Sequence, residues 1–183
     1  MEVSTGGHFA ALPFVFGKPV ITLKRKLAGT SSAALGHFLA RAQRAAGLRG
    51  EVNVLVSGNR EIRELNRRYR GKDKATDVLS FPADGGAGKE FAGDIAISAE
   101  MAMRSARRFG HAPAEEVKVL LLHGVLHLAG YDHEHDNGSM ARLEERLRKQ
   151  LGLPSALIAR QQDDDARPAP LRTGFVARRK GRS

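Results

Sequence analysis

One stretch constrains this chain more than any other. From Pro113 to Ala129 the sequence PAEEVKVLLLHGVLHLA is strongly apolar, and a helix without a solvated face has to be buried among other elements. Pro113 at a first helical position, with Glu115 and Glu116 in the first turn, opens that helix. Gly130 closes it, because glycine accepts the left-handed conformation that ends helices. Lys118, His123 and His127 interrupt the run, which falls short of the ~20 residues a bilayer needs. It is therefore expected to be a core helix, and no segment is expected to span a membrane. With 183 residues, 42% of them hydrophobic, the chain can surround such a helix with one domain of ordinary size and leave tails to spare.

The surrounding elements follow from periodicity. Val20–Leu23 is a short β-branched run, Glu51–Ser57 alternates, and Asp77–Phe81 and Asp94–Ser98 read as two further strands. Between them, Ala34, Leu35, Phe38, Leu39 and Ala42 recur at helical spacing up to Gly47, with Thr30–Ser32 supplying a cap. Arg60 to Tyr69 forms a helix with Ile62, Leu65 and Tyr69 on one face and Arg60, Arg63, Arg67 and Arg70 on the other. Ala99–Phe109 is helical, and Ser139–Leu151 is amphipathic through Met140, Leu143, Leu147 and Leu151. The expected fold is α/β (α+β): a small four-stranded mixed sheet covered by about five helices, in a single domain over 19–158. Residues 1–18 read as an irregular arm. Residues 159–183, rich in Pro, Arg and Asp, read as a basic, disordered tail.

Charge and cysteine content limit the functions open to such a domain. Much of the formal charge of +10 lies at the ends, and 160–183 alone carries seven basic residues against three acidic ones. Such tails suit an anionic partner such as RNA, or act as general solubilisers. The absence of cysteine excludes a disulfide scaffold and any thiolate metal site. No positive residue precedes the early apolar patch Phe9–Phe16, so a secretory signal is not expected and the default compartment is the cytoplasm.

Four of the seven histidines fall within HGVLHLAGYDHEH. His123 and His127, four apart on one helix, project from the same face about one turn apart. His133 follows the helix-ending Gly130 and can complete a three-nitrogen face with a position left open for water, the mark of a catalytic rather than a closed structural zinc site. The spacing equals the H-x-x-x-H-x-x-G-x-x-H core of metzincin proteases. However, the protease general base, a Glu directly after the first His, is here Gly124, so peptide hydrolysis by that route is disfavoured. Three histidines at ligand spacing on an apolar helix are costly to bury unpaired. His135 is a weaker fourth candidate. His8, His37 and His111 carry no pattern and read as solvated or core residues. Asp132 has two readings, a partner orienting a ligand or a cap on the turn; Met140 likewise either floors the site or is plain core. A three-His site also suits nickel, cobalt or copper.

A second constellation, NRRYRGKDKATDVLSFP over 66–82, runs from an Arg-rich helix end through a Gly turn into a strand. A guanidinium there can clamp a phosphate bidentately. The alternative is a solvated basic face paired with Glu61 and Glu64, which is favoured for Arg60, Arg63 and Arg67. Arg70 differs because it stands where the chain turns. Asp77 and Ser80 are read as fixing the turn and strand.

Together, HGVLHLAGYDH (123–133), NRRYRGKDKATDVLSFP (66–82) and GDIAIS (93–98) resemble the YbeY family of bacterial endoribonucleases, over roughly residues 20–152. The resemblance implies one zinc ion on His123, His127 and His133, and a functionally important arginine, matched by Arg70, beside the metal cleft. It also implies hydrolysis of single-stranded RNA in 16S rRNA 3′-end maturation and ribosome quality control, with the small ribosomal subunit as partner, and a compact α/β domain with a four-stranded sheet. The longer N-terminal arm and C-terminal extension depart from the family pattern. Gly124 does not depart from it, so the general base remains unassigned. Two other functions compete with this one: a ribosome-assembly RNA-binding factor with a structural zinc, and a degenerate metzincin-like protease.

Overall fold

The computed structural model describes residues 20–83, 90–131 and 137–154. The expected arm (1–18) and basic tail (159–183) lie outside these residues, as do His133, His135 and Asp132.

Four strands, β1 (Ile21–Leu23), β2 (Glu51–Ser57), β3 (Val78–Pro82) and β4 (Phe91–Ser98), form one sheet in the order β1-β2-β4-β3. β1, β2 and β4 run parallel, and β3 is antiparallel to β4 at the outer edge. Five helices accompany them: α1 (Ser32–Ala46), α2 (Asn59–Arg70), α3 (Ala99–Phe109), α4 (Pro113–Leu128) and α5 (Ser139–Leu151). The mixed four-stranded sheet with five helices agrees with the sequence expectation.

The period-2 alternation of the strands divides the core in two. Val52, Val54 and Val56 of β2, with Ile95 and Ile97 of β4, point into a large cluster shared with α1, α4 and α5. Leu55, Ala96 and Leu79 point to the opposite face, where Ile62 of α2 covers them. Thus α4 and α2 lie on opposite sides of one sheet.

β4 begins three residues earlier than expected, at Phe91, because the sequence reading stopped at Gly93. The glycine belongs to the strand for a local reason. It has φ +146°, and a Cβ there would collide with the Phe81 carbonyl oxygen and meet Leu128 Cδ2 at 2.9 Å. Only a residue without a side chain lets β3 and α4 approach β4 so closely. α2 is capped from outside its own segment. Gly58 offers no side chain, and the first N–H, that of Asn59, donates to Glu100 Oε2 of α3 at 2.9 Å. A neighbouring helix thus supplies the acceptor that a local side chain usually provides.

Candidate metal centre

α4 is buried on all sides, as its composition demands: every residue from Val119 to Leu126 is inside. Its start is fixed by Glu115, whose Oε2 accepts the Ala112 N–H at 2.9 Å. Its end is fixed by Gly130 at φ +92°, where the Gly130 and Tyr131 N–H groups donate to the carbonyls of His127 and Leu126. This left-handed turn directs the chain away toward residues 132–136.

His123 and His127 lie side by side on α4, and their Nε2 atoms are 3.1 Å apart. Two nitrogens of one tetrahedral zinc site, each ~2.0–2.1 Å from the ion, stand about 3.3 Å apart. The pair therefore has the separation and donor chemistry that a zinc ion asks of two ligands. Among the described residues, no group of three or more His, Asp or Glu side chains converges on one point, and His133 lies outside them.

Behind the pair runs a buried chain of polar groups that the sequence reading missed. His123 Nδ1 lies 2.9 Å from Glu144 Oε2 of α5, and Glu144 Oε1 lies 3.1 Å from Arg148 Nε. Arg148 Nη1 donates to the Pro154 carbonyl at 3.1 Å. Glu144 and Arg148 are both buried. Removing one partner of such a pair leaves an uncompensated buried charge, at about 3–5 kcal/mol. A signal was present in the sequence. On α5, positions 144 and 148 fall on the same face as Met140, Leu147 and Leu151, so a Glu and an Arg at i, i+4 interrupt the apolar stripe rather than the solvated face. Met140 is fully buried within the main core cluster.

Gly124 has a structural explanation. It faces the sheet, and a Cβ there would meet Ile95 Cγ2 at 2.9 Å and Ser80 Oγ at 3.1 Å. No carboxylate can occupy position 124 while α4 lies this close to β3 and β4. The position that carries the base in metzincins is here a packing contact.

Arg70 is the last residue of α2, followed by Gly71 in a left-handed cap. Its Nη2 donates to the Ser80 carbonyl on the outer strand β3 at 3.1 Å, while Ser80 Oγ reaches the Gly124 carbonyl on α4 at 3.4 Å. Arg70 and the residue beside His123 therefore grip the same residue of the sheet edge from opposite faces. The following loop is braced to α2 by two bonds from Arg63 to Asp73 and by Asn66, which donates to the Lys74 carbonyl. Asp77 Oδ1 accepts the N–H of Val78 and so turns the chain into β3. Of the unpatterned histidines, His37 is exposed, and His111 is held against the buried Glu116.

The fold and this site define a single α/β domain with a histidine pair on a buried helix and an arginine at the adjoining sheet edge. Residues 21–152 match the family model described as Endoribonuclease YbeY. Proteins named Endoribonuclease YbeY from Koribacter versatilis and Solibacter usitatus are 58% and 48% identical to this chain. The first comparison covers 77% of this chain and 91% of the relative, the second 78% and 94%. A solution structure of TM1509 from Thermotoga maritima is similar at a TM-score of 0.50 and 25% identity, over 84% of this chain and 99% of that one. This chain belongs to the YbeY family. Among the described residues, no helix is long and apolar enough to cross a membrane.

Proposed function

We propose that this protein is a cytoplasmic, zinc-dependent endoribonuclease that cuts single-stranded RNA in 16S rRNA 3′-end maturation and ribosome quality control, working with the small ribosomal subunit. Membership of the YbeY family supports the endoribonuclease part of this reading. The observation that carries the metal dependence is the convergence of His123 and His127 Nε2 on the part of α4, from Val119 to Leu128, whose other side chains are all apolar. In this reading His123, His127 and His133 would hold the ion, which would supply Lewis-acid activation of water and of the phosphate. Arg70 receives the scissile phosphate. Arg70 is an exposed residue whose guanidinium is anchored to the strand by one nitrogen, which leaves further donors to offset the charge that develops on the phosphate oxygens. The packing at Gly124 keeps a protease-type base out of the site.

The test is cleavage of a single-stranded RNA spanning a precursor 16S 3′ end, with and without chelator, beside folded His127→Ala and Arg70→Ala proteins. The expected result is cutting by metal-loaded wild type only, with each variant at least ~100-fold slower. Equal cutting by all samples overturns the reading. Binding of zinc and RNA without cutting, even when small subunits are added, favours an assembly factor with a structural metal.

A further inference from the structure

We propose that Glu144 is a positioning residue for the site: it fixes the His123 ring with Nδ1–H turned toward α5 and the Nε2 lone pair turned toward His127, and Arg148 holds Glu144 in that place. The inference deepens the metal reading above and rests on it for its use, though not for its geometry. A carboxylate only accepts hydrogen bonds. At 2.9 Å from Glu144 Oε2, His123 Nδ1 must therefore be the donor, and the neutral ring then carries its lone pair on Nε2. That atom is the one 3.1 Å from His127 Nε2. The carboxylate has a second anchor, since Arg148 approaches its other oxygen and is itself tied to the Pro154 carbonyl. Two buried anchors on one carboxylate leave it one orientation. They also lock α5 to α4 across the connection that carries His133, so the ring, its tautomer and the spacing of the two helices are set together. Carboxylate partners of this kind orient metal-bound histidines, and their loss typically lowers metal affinity ten- to a hundredfold.

The test uses full-length, metal-free protein and zinc ion alone. Replacing the pair together avoids stranding one charge: Glu144→Leu with Arg148→Met fills the space with apolar groups, a change that is often neutral for stability. Glu144→Gln with Arg148→Met instead keeps an amide oxygen that can accept from Nδ1. Zinc affinity is read by competition with a chromophoric chelator, and the tautomer of His123 by two-bond 15N–1H spectra. The expected results are a roughly 10- to 100-fold weaker affinity in the Leu/Met protein, recovery of most of it in the Gln/Met protein, and Nδ1–H at His123 in wild type. Wild-type affinity in both double variants overturns the proposal and leaves the metal site standing, with His127→Ala as the control that loses zinc. Should wild type bind no zinc, the metal reading fails by itself. The spectra then decide: Nδ1–H in wild type that is lost in the Leu/Met protein sustains the positioning role, and Nε2–H in wild type overturns it. The wild-type spectrum decides equally if a double variant does not fold.

Discussion

On one face of the sheet, α4 lies against β3 and β4 with everything from Val119 to Leu126 inside; on the other, α2 buries only Ile62 and Asn66 and leaves Arg60, Arg63, Arg67, Arg68 and Arg70 exposed. Both helices are held by the same strands, yet they treat charge in opposite ways. Among the described residues, each buried ionisable group on the α4 side has a partner: His123, Glu144 and Arg148 form one chain, and Glu116 holds His111. On the α2 side the guanidiniums stay hydrated, and those that pair do so on the surface. The first arrangement fixes atoms to within a rotamer, as a ligand set requires. The second keeps charge available to an anionic partner, as phosphate recognition requires. β3 carries both, with Arg70 and α4 meeting at Ser80.

The strongest way to break this contrast is to put a charge on each face in turn. Gly124→Glu would place a carboxylate where even a Cβ comes within 3.1 Å of Ile95 and Ser80. Overpacking alone costs about 1–3 kcal/mol, and an unpaired buried charge adds several more, against a total stability of roughly 5–15 kcal/mol. We expect loss of cooperative unfolding in a urea titration followed by circular dichroism. Arg67→Glu on α2 should stay within about 0.5 kcal/mol of wild type. A folded Gly124→Glu protein would mean that α4 can move off the sheet, and the account of the buried face would fail with it.

How much of this was legible in the sequence differs between the same two regions. The α4 helix was readable almost to the residue, because Pro113, Glu115, the apolar run and Gly130 all point to the same structure. The histidine pair was readable for the same reason: spacing on a helix fixes direction. Glu144 and Arg148 went unread because a charged residue on an amphipathic helix is ordinarily assigned to solvent, and only the packing of α5 on α4 reveals what they face. The order β1-β2-β4-β3 and the extension of β4 through Gly93 were not readable, since pairing partners lie far apart in sequence and the glycine answers to the Phe81 backbone rather than to its neighbours.

A smaller effect sharpens the comparison from the α2 side, where one acid breaks the rule of hydrated charge. Asp94 is buried beside Asn53, which donates to its Oδ1 at 3.0 Å. Burial pushes its carboxyl above the usual range, and the Asn53 bond only partly opposes that. The sign follows from linkage: the folded state holds the proton more tightly than the unfolded state. Stability therefore falls as pH rises from the ordinary carboxyl value of 3.8 through the raised folded value, and stays lowered above it. Asp94→Asn, which keeps an acceptor for Asn53, should be more stable than wild type at pH 7 and indistinguishable from it near pH 3. Urea midpoints at the two pH values check this, and a wild-type advantage at pH 7 would show that the ionised form is the one the fold favours.

The smallest expected change concerns the exposed pair at the start of the loop after Arg70. Asp73 binds Arg63 through both carboxylate oxygens, and that partner holds its carboxyl below the usual carboxylate range, so it stays ionised in any ordinary assay. Exposed pairs of this sort add little to stability. Asp73→Asn should leave the urea midpoint unchanged while freeing the Arg63 guanidinium on the face that carries Arg60, Arg67 and Arg70. If that face tracks an RNA backbone, one more cation is available to a phosphate. The plot of log affinity against log salt for a single-stranded RNA should then steepen by about 0.7, the increment for one contact to a single strand. The same substitution should not alter zinc affinity, because among the described residues no hydrogen bond or ion pair joins Arg63 or Asp73 to the α4–α5 chain. An unchanged salt slope would take the RNA off this face of α2 and leave Arg70 alone, at the edge of β3, as its contact with phosphate.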